Sequence, residues 1–278
     1  MVSSRLPVAR LSALAALVVG AFLVTQHAGG TRWHALRPGV EFATLRGEPW
    51  CRRGSTSIAA LRLDPARVRI EVRSFLREPE RRPLDILTWQ RRANALAVFN
   101  AGQYYADGTY MGLLASRGVV LSRRPHATFK AALVAGLRGG RAGAHVLDLA
   151  RQPLDPDSLG WSEVAQSFML FDRGGTVRVR HSDQVANRTA VAEDRGGRLV
   201  VLTTEGGYTL WDLAQMLKAM PLDLTEAMAV DGGLEGEMVV SAGRFRYASF
   251  GQWRHGGSAA EAPPPPVSLP AVVTVSAP

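Results

Sequence analysis

The sequence predicts a single α+β domain, with a mixed, largely antiparallel β-sheet flanked by a few helices. Short apolar segments bounded by Gly, Pro and Asp recur along the chain, which is typical of strands and turns. Only two segments show a helical pattern. The chain has 278 residues, 46% of them hydrophobic, and carries no internal repeat, so it suits one large core.

The first half of the chain predicts several strands and one short helix. In Arg67–Arg73, apolar and charged residues alternate, as in a half-buried strand, and Asp64-Pro65 predicts a turn that closes a hairpin with the strand before it. Leu84–Arg92 predicts the helix. The strands predicted here are Thr56–Leu63, Arg67–Arg73, Leu96–Phe99, Gly112–Leu121, Thr128–Val134 and His145–Leu149.

The second half predicts hairpins around one well-marked helix. Thr209 is positioned to cap this helix, Asp212 lies in its first turn and Pro221 follows its end. Residues 136–144 and 256–266, rich in Gly with Arg or Pro, predict loops. The predicted strands are Ser167–Phe171, Thr176–Arg180, Arg188–Ala192, Leu199–Thr203, Ala227–Val230, Glu237–Val240 and Pro266–Val275.

The most informative segment is 229–236, Ala-Val-Asp-Gly-Gly-Leu-Glu-Gly. An apolar strand leads directly to Asp231, and two adjacent glycines allow a tight turn and a close backbone approach to a ligand. A second acid, Glu235, follows four residues later. The alternative is a plain Asp-Gly turn that joins two strands of a hairpin.

Further blocks accompany this segment at 99–102 (Phe-Asn-Ala-Gly), 165–170 (Ala-Gln-Ser-Phe-Met-Leu), 187–192 (Asn-Arg-Thr-Ala-Val-Ala) and 208–214 (Tyr-Thr-Leu-Trp-Asp-Leu-Ala). In order and approximate spacing, the set resembles the phosphodiester glycosidase family over roughly residues 40–278. The departures are Ala101 and Gln103 in the block that begins at Asn100, Phe168-Met169 after Gln-Ser, and Leu234-Glu235-Gly236 after Asp-Gly-Gly.

The resemblance implies a hydrolase that cleaves a glycosyl phosphodiester at the anomeric carbon of the sugar. Such chemistry needs a group to meet positive charge on the sugar, a group to stabilise the departing phosphate, and a base or nucleophile. We assign Asp231 as nucleophile or charge stabiliser, Glu235 as general acid or base, and Arg188 as the phosphate clamp. Glu235 can equally be an exposed acid paired with an arginine.

The same blocks imply residues that line a substrate site. Asn can bind sugar hydroxyls through both faces of its amide, although an Asn at a strand end can also cap its own turn. His181 is a weaker candidate for a base. The predicted substrate-binding residues are Asn100, Gly102, Gln166, Ser167, Thr189, Gly232 and Gly233.

The departures from the family pattern keep a second class of function open. It is a non-catalytic protein that binds carbohydrate or phosphate on the same fold and serves surface polysaccharide assembly. No nucleotide or dinucleotide motif is present, and no His, Cys, Asp or Glu spacing is typical of a metal site, so we assign no cofactor and no metal. The expected partner is a glycan or sugar phosphate.

The N-terminus predicts export. Arg5 and Arg10 precede an apolar run from Leu11 to Val24, which has the length of a signal-peptide core and is short for a membrane span. Residues 1–28 are therefore a signal peptide or a membrane anchor, and the domain at 40–278 lies outside the cytoplasm.

The net charge of +9 is uneven. Residues 1–150 carry 22 Lys and Arg against 9 Asp and Glu, whereas residues 151–278 carry 11 against 15. The arginines are spread out and no nucleic-acid motif accompanies them, so we expect no nucleic-acid partner. Cys51 is the only cysteine, which excludes an internal disulfide.

Overall fold

The computed structural model describes residues 31–137, 143–252 and 265–278. These residues form eighteen strands, two α-helices and two single-turn 3-10 helices. The helices are α1 (Ile86–Ala93) and α2 (Leu210–Ala219). The strands are β1 (His34–Arg37), β2 (Val40–Arg46), β3 (Ser57–Leu63), β4 (Arg69–Ser74), β5 (Leu84–Asp85), β6 (Ala97–Asn100), β7 (Leu114–Ser116), β8 (Val119–Ser122), β9 (Ala131–Leu137), β10 (Ala144–Asp148), β11 (Trp161–Phe171), β12 (Arg188–Asp194), β13 (Leu199–Thr204), β14 (Leu224–Gly232), β15 (Met238–Ala242), β16 (Phe245–Ser249), β17 (Ser268–Leu269) and β18 (Ala271–Ser276).

The strands form a larger and a smaller sheet, and every named pairing in the described residues is antiparallel. The larger sheet has the order β1-β2-β3-β13-β12-β14-β11-β7-β8, with β9 on β11 and β10 on β9. The smaller sheet has the order β16-β15-β6-β18-β4, and β17 pairs with β5 in a short ribbon. The predicted largely antiparallel sheet with few helices is therefore confirmed. β-structure dominates, however, and the described residues contain no parallel strand pair that would make the sheet mixed.

The main core lies between the two sheets. It joins buried side chains of the larger sheet, such as Leu61 and Met228, to those of the smaller sheet, such as Phe99 and Val273. Burial of this much apolar surface supplies the main stabilisation, at roughly 25 cal/mol per Å². α2 covers the outer face of the larger sheet, and α1 covers the outer face of the smaller sheet through Trp89.

A buried acid also ties the sheets together. Glu163 of β11 accepts hydrogen bonds from the backbone N–H of Val72 in β4 at 2.8 Å and of Arg117 at 2.9 Å. Burial raises the pKa of Glu163 to about 7. The two sheets are thus joined by a polar contact as well as by apolar packing.

Both predicted helices are present, because their end signals are local. Thr209 caps α2, with its Oγ1 accepting a hydrogen bond from the Asp212 N–H at 3.0 Å. Asp85 caps α1 in the same way, through the Thr88 N–H at 2.9 Å, and Asn94 ends α1 in the left-handed conformation. α1 begins two residues later than predicted.

The predicted opening hairpin is wrong. β3 pairs with β2 and β13 in the larger sheet, whereas β4 pairs with β18 in the smaller sheet. The turn at Asp64 therefore passes the chain from one sheet to the other. The plain hairpin considered around Asp231 is wrong for the same reason, since β14 belongs to the larger sheet and β15 to the smaller.

Other boundaries differ where turns interrupt an apolar run. Gly112–Leu121 contains two strands, because Arg117 and Gly118 turn the chain with positive φ. Thr176–Arg180 forms no strand and makes only an isolated bridge between Val177 and Phe171. β1, β2 and β16 were not predicted.

Some sequence predictions lie outside the described residues. They are the targeting segment at 1–28, the central part of the 136–144 loop and nearly all of the 256–266 loop. In the part of the chain that the structure covers, neither helix is long and apolar enough to cross a membrane.

Candidate active site

Asp231 and Glu235 open onto one cavity of about 750 Å³. Asp231 lies at the end of β14, and Glu235 lies in the single-turn 3-10 helix Gly233–Glu235 that follows. The volume is in the range of sites that hold small molecules. The rest of the lining comes from Gly232, Gly233 and Leu234 of the turn, from the loop 103–108 and from Pro83, Ser268 and Pro270.

The two glycines after Asp231 are required by the turn itself. A Cβ at Gly232 would lie 2.4 Å from the backbone oxygen of Asn187, so no larger residue fits there. Gly233 has φ +72°, a conformation that favours glycine. Gly251 packs on the same turn, where a Cβ would lie 1.9 Å from the Gly233 oxygen. The protein's own backbone thus approaches the turn closely, and because Gly232 and Gly233 also line the cavity, their contact with a ligand stays a prediction.

Asn187 holds this turn in position from the side. Its backbone oxygen accepts the Gly233 N–H at 2.9 Å, and its Oδ1 accepts the Gln252 N–H at 2.7 Å. Its Nδ2 donates to the backbone oxygens of Thr204 and Glu205, both at 2.7 Å. Asn187 is fully buried and joins β13, the turn and the 251–252 segment.

Asp231 has an unusual protonation equilibrium for an aspartate. Burial, and then the nearby Glu235 carboxylate, raise its pKa to about 7. The Gly232 N–H, which donates to Oδ1 at 2.9 Å, and the charge of Arg188 act in the opposite direction. The group therefore gains and loses a proton near neutral pH, as a catalytic acid or base must.

Arg188 lies beneath the turn rather than in the cavity lining. Its Nε donates to the Tyr208 backbone oxygen at 2.9 Å, and its Nη2 donates to the Gln184 backbone oxygen at 2.6 Å. Its Nη1 lies against Gly232, 3.4 Å from where a Cβ would be. Burial lowers the pKa of Arg188 to about 10, while Asp231 acts to raise it. Arg188 and Asp231 thus interact electrostatically without forming an ion pair.

Asn100 supports Asp231 from the smaller sheet. It is fully buried at the end of β6, and its Nδ2 donates to the Asp231 backbone oxygen at 2.8 Å. Its Oδ1 has no hydrogen-bond partner among the described residues. The two strand ends that carry the first and last sequence blocks therefore meet directly.

The remaining predicted substrate-binding residues do not line this cavity. A Cβ at Gly102 would lie 2.3 Å from the Tyr110 hydroxyl, so this glycine serves packing. Gln166 is buried and binds the backbone of Leu113, His126 and Phe129. Ser167 and Thr189 are fully buried in β11 and β12. Thr189 Oγ1 lies 3.4 Å from Thr203 Oγ1, so the contacts of Gln166 and Thr189 both support structural roles. His181 stacks on Trp211, outside the lining.

Sequence reasoning missed the rim of the cavity. Gln103, Tyr104, Tyr105 and Asp107 lie on the loop after β6 and line the opening. Tyr105 is 52% exposed, which is unusual for a large aromatic side chain. Two adjacent tyrosines between Asn100 and Asp107 were the available signal, because aromatic residues on loops often contact ligands. Among the described residues, no group of three or more His, Cys, Asp or Glu side chains is arranged to hold a metal ion.

The comparison with protein families identifies the class. A family model described as phosphodiester glycosidase matches residues 93–263, which contain Asn100, Arg188, Asp231 and Glu235. The chain belongs to the phosphodiester glycosidase family. The predicted resemblance is confirmed. A search of curated proteins finds no significant match.

Solved structures share the fold at low identity. The catalytic domain of zebrafish N-acetylglucosamine-1-phosphodiester alpha-N-acetylglucosaminidase, auto-inhibited by its pro-peptide, is similar with a TM-score of 0.65 and 16% identity, over 89% of this chain and 86% of that one. A hypothetical protein from Synechocystis has a TM-score of 0.58 and 13% identity, over 90% and 64%. A protein from Burkholderia pseudomallei described as exported has a TM-score of 0.51 and 12% identity, over 82% and 76%.

Proposed function

We propose that this protein is an exported hydrolase that cleaves a glycosyl phosphodiester in an envelope or extracellular glycan. The observation that carries the proposal is the shared cavity of Asp231 and Glu235, with Asp231 shifted to a pKa of about 7. Glycoside hydrolases usually use two carboxyl groups that face one substrate site. Family membership and the apolar N-terminal segment support the reaction class and export.

Asp231 suits proton transfer better than a permanent negative charge. A base with a pKa near 7 is available at neutral pH and still accepts a proton strongly. Asp231 therefore receives the proton of the attacking water, and the Glu235 carboxylate faces the positive charge that develops on the sugar. This division reverses the roles that the sequence suggested for the two acids.

Arg188 contributes positive charge from beneath the turn. Its Nε and one N–H of Nη2 already bind backbone oxygens, which leaves Nη1 as the free edge nearest to the cavity. That charge attracts the departing phosphate and also favours the ionised form of Asp231. Arg188 thus acts through its charge from beneath the turn rather than as a bidentate clamp on the phosphate.

The rim supplies the sugar contact. Tyr105 is exposed at the opening, and an aromatic face packs well against the C–H face of a sugar ring. Gln103 and Asp107 offer hydrogen-bond partners beside it. The substrate is thereby held with its sugar at the rim and its anomeric carbon toward Asp231.

The test uses the full chain and a panel of methyl phosphodiesters of α- and β-linked sugar 1-phosphates, with glucose, galactose, mannose and N-acetylglucosamine. Products are followed by ³¹P and ¹H NMR in water enriched in ¹⁸O. We expect ¹⁸O at the sugar C1, because the proposed reaction breaks the bond between C1 and oxygen. We expect turnover to fall at least 100-fold in Asp231→Asn and Glu235→Gln.

The matched control is Asp157→Asn, which changes an aspartate whose side chain is 77% exposed and does not line the cavity. Its turnover should equal that of the wild type. Label in the phosphate would instead identify a phosphodiesterase. Binding of a sugar phosphodiester without turnover, equal in wild type and Asp231→Asn, would identify a non-catalytic binding protein.

A further inference from the structure

A second cavity, of about 400 Å³, opens on the larger sheet and shares no lining residue with the first. The side chains that matter for its chemistry are those of Trp161, Gln152, Asp148, Arg173, Glu193 and Glu226. We call this the second cavity. Its volume lies within the range of small-molecule sites.

The two cavities lie near opposite ends of β14. Glu226 lies near the start of β14 and Asp231 near its end. Five residues of extended strand span roughly 16 Å. A ligand in the second cavity therefore does not touch the candidate catalytic carboxyls.

Buried carboxylates form the base of the second cavity, and cations neutralise them. Glu193 and Glu226 are directly opposite each other on β12 and β14, and they are 6% and 4% exposed. Arg173 Nη2 bonds to Glu226 and lies 3.8 Å from Glu193 Oε1. His145 Nδ1 lies 3.2 Å from Glu193 Oε2, and this contact raises the pKa of His145. The base is thus polar without a strong net charge.

An acceptor in the wall lacks a hydrogen bond. Asp148 is 6% exposed, and its Oδ2 accepts no hydrogen bond from any described residue. The nearest cations are Arg178 Nη1 at 3.6 Å and Arg151 Nε at 3.8 Å, both beyond hydrogen-bond distance. Oδ2 itself has almost no accessible surface, so a ligand hydroxyl reaches it only when one of these arginine side chains moves aside, and the hydrogen bond gained by the buried acceptor favours that movement.

Part of the lining is aromatic. Trp161 is partly buried, lines the cavity and meets the His145 ring edge to face at 5.7 Å between centroids. An indole face beside carboxylate, amide and guanidinium groups matches a ring that has C–H faces and hydroxyl edges. Among the described residues, no group of three or more potential ligands could hold a metal ion here, which argues against a cation site.

We propose that the second cavity binds a neutral saccharide unit, with its ring on Trp161 and its hydroxyls on Asp148, Gln152 and Arg173. An anionic sugar is disfavoured because three buried carboxylates line the cavity. A cationic sugar is disfavoured because Arg173 and His145 already occupy the positions beside Glu193 and Glu226. The inference concerns binding alone and does not depend on the proposed catalytic function.

The experiment is a titration of the full chain with neutral trisaccharides of glucose, galactose and N-acetylglucosamine. Calorimetry gives the affinity, and ¹H–¹⁵N NMR follows the Trp161 indole, assigned from the Trp161→Phe spectrum. We expect at least one trisaccharide to bind and to shift this resonance. We expect Trp161→Ala to weaken binding at least tenfold and Gln152→Ala to weaken it several-fold. Asp157→Asn, which changes an exposed side chain in neither cavity, should leave it unchanged.

Two controls separate binding from folding. Trp211→Ala removes another partly buried tryptophan, which stacks on His181 outside the second cavity, and should bind normally. Gln152 is exposed, so its loss should not unfold the protein even if Trp161→Ala does. Failure of all three trisaccharides to bind would overturn the proposal. Binding that survives Gln152→Ala and does not shift the Trp161 indole resonance of the wild type would overturn it as well.

Discussion

Asn100 of the smaller sheet donates a 2.8 Å hydrogen bond from Nδ2 to the backbone oxygen of Asp231 in the larger sheet. The bond reaches the backbone rather than the carboxyl group, so Asn100 fixes the backbone position from which the Asp231 side chain extends. The position of the candidate catalytic carboxyl therefore depends on how the two sheets are packed.

Replacing Asn100 should misplace Asp231. Asn100→Asp puts a buried oxygen against the Asp231 backbone oxygen, so we expect kcat to fall at least tenfold while KM changes little. The buried mismatch should also lower the free energy of unfolding by about 1–3 kcal/mol. Asn94→Asp, an exposed change at the end of α1, is the matched control for steady-state kinetics and thermal melting. Unchanged kcat in Asn100→Asp would show that this bond does not position the carboxyl.

Asp231→Asn should stabilise the protein at neutral and alkaline pH. The folded-state pKa is about 7, above the ordinary value of 3.8, so folding retains a proton that the unfolded chain releases. The stability that this group contributes is full below about pH 4 and is lost as pH rises to 7. We expect the advantage of the variant to grow over that window, to on the order of 4 kcal/mol. Denaturant unfolding of both proteins at pH 4, 5.5, 7 and 8 measures this difference in the free energy of unfolding. A difference that stays constant with pH would contradict the raised pKa of Asp231.

Alanine at the two site glycines should cost different amounts. Gly232→Ala forces a Cβ to 2.4 Å from a backbone oxygen and should cost at least about 3 kcal/mol. Gly233→Ala places an alanine at a positive φ, and this strain should lower the free energy of unfolding by about 1–2 kcal/mol. Gly197→Ala isolates that strain, since its φ is +75° and its Cβ would meet nothing within 4 Å. Gly160→Ala, with neither problem, should be neutral, and equal melting temperatures for all four would refute the reasoning.

Arg188 should set the pH at which activity appears. Its charge lowers the pKa of Asp231, so Arg188→Met should move the rising limb of the kcat profile upward by roughly one pH unit. Arg188→Lys keeps the charge but cannot reproduce both backbone hydrogen bonds, so it should lose stability with little shift of the limb. A limb that stays fixed in both variants would mean that Asp231 is not the titrating group.

Local signals made α2 and the strand ending at Asp231 predictable. Thr209, Asp212 and Pro221 mark the helix within thirteen residues, and the apolar run before Asp231 needs no distant partner to be recognised. The choice of sheet for each strand was not predictable in this way. Val72 of β4 pairs with Val273 of β18, and no local pattern specifies a partner two hundred residues away.

The candidate site, like the fold, could be predicted from the sequence only where local residue types determine it. The acids and glycines of the turn were visible in the sequence, because the turn needs those residue types. The backbone partners of Arg188 and the packing of Gln166 against the loop after β8 depend on tertiary contacts and could not be read from spacing. Tyr105 was missed because an exposed aromatic residue has no periodicity to reveal it.

The position of β18 constrains the order in which the chain can fold. β18 lies between β4 and β6, which pair with it and not with each other. Both strands are synthesised long before residues 271–276, so they stay without their shared partner until those residues emerge. Closing such a long loop is slow, because its entropy is lost before the contacts that compensate for it form. β6 also pairs with β15, so Asn100 can reach Asp231 through that pairing, and residues 271–276 then complete the sheet on the other side of β6.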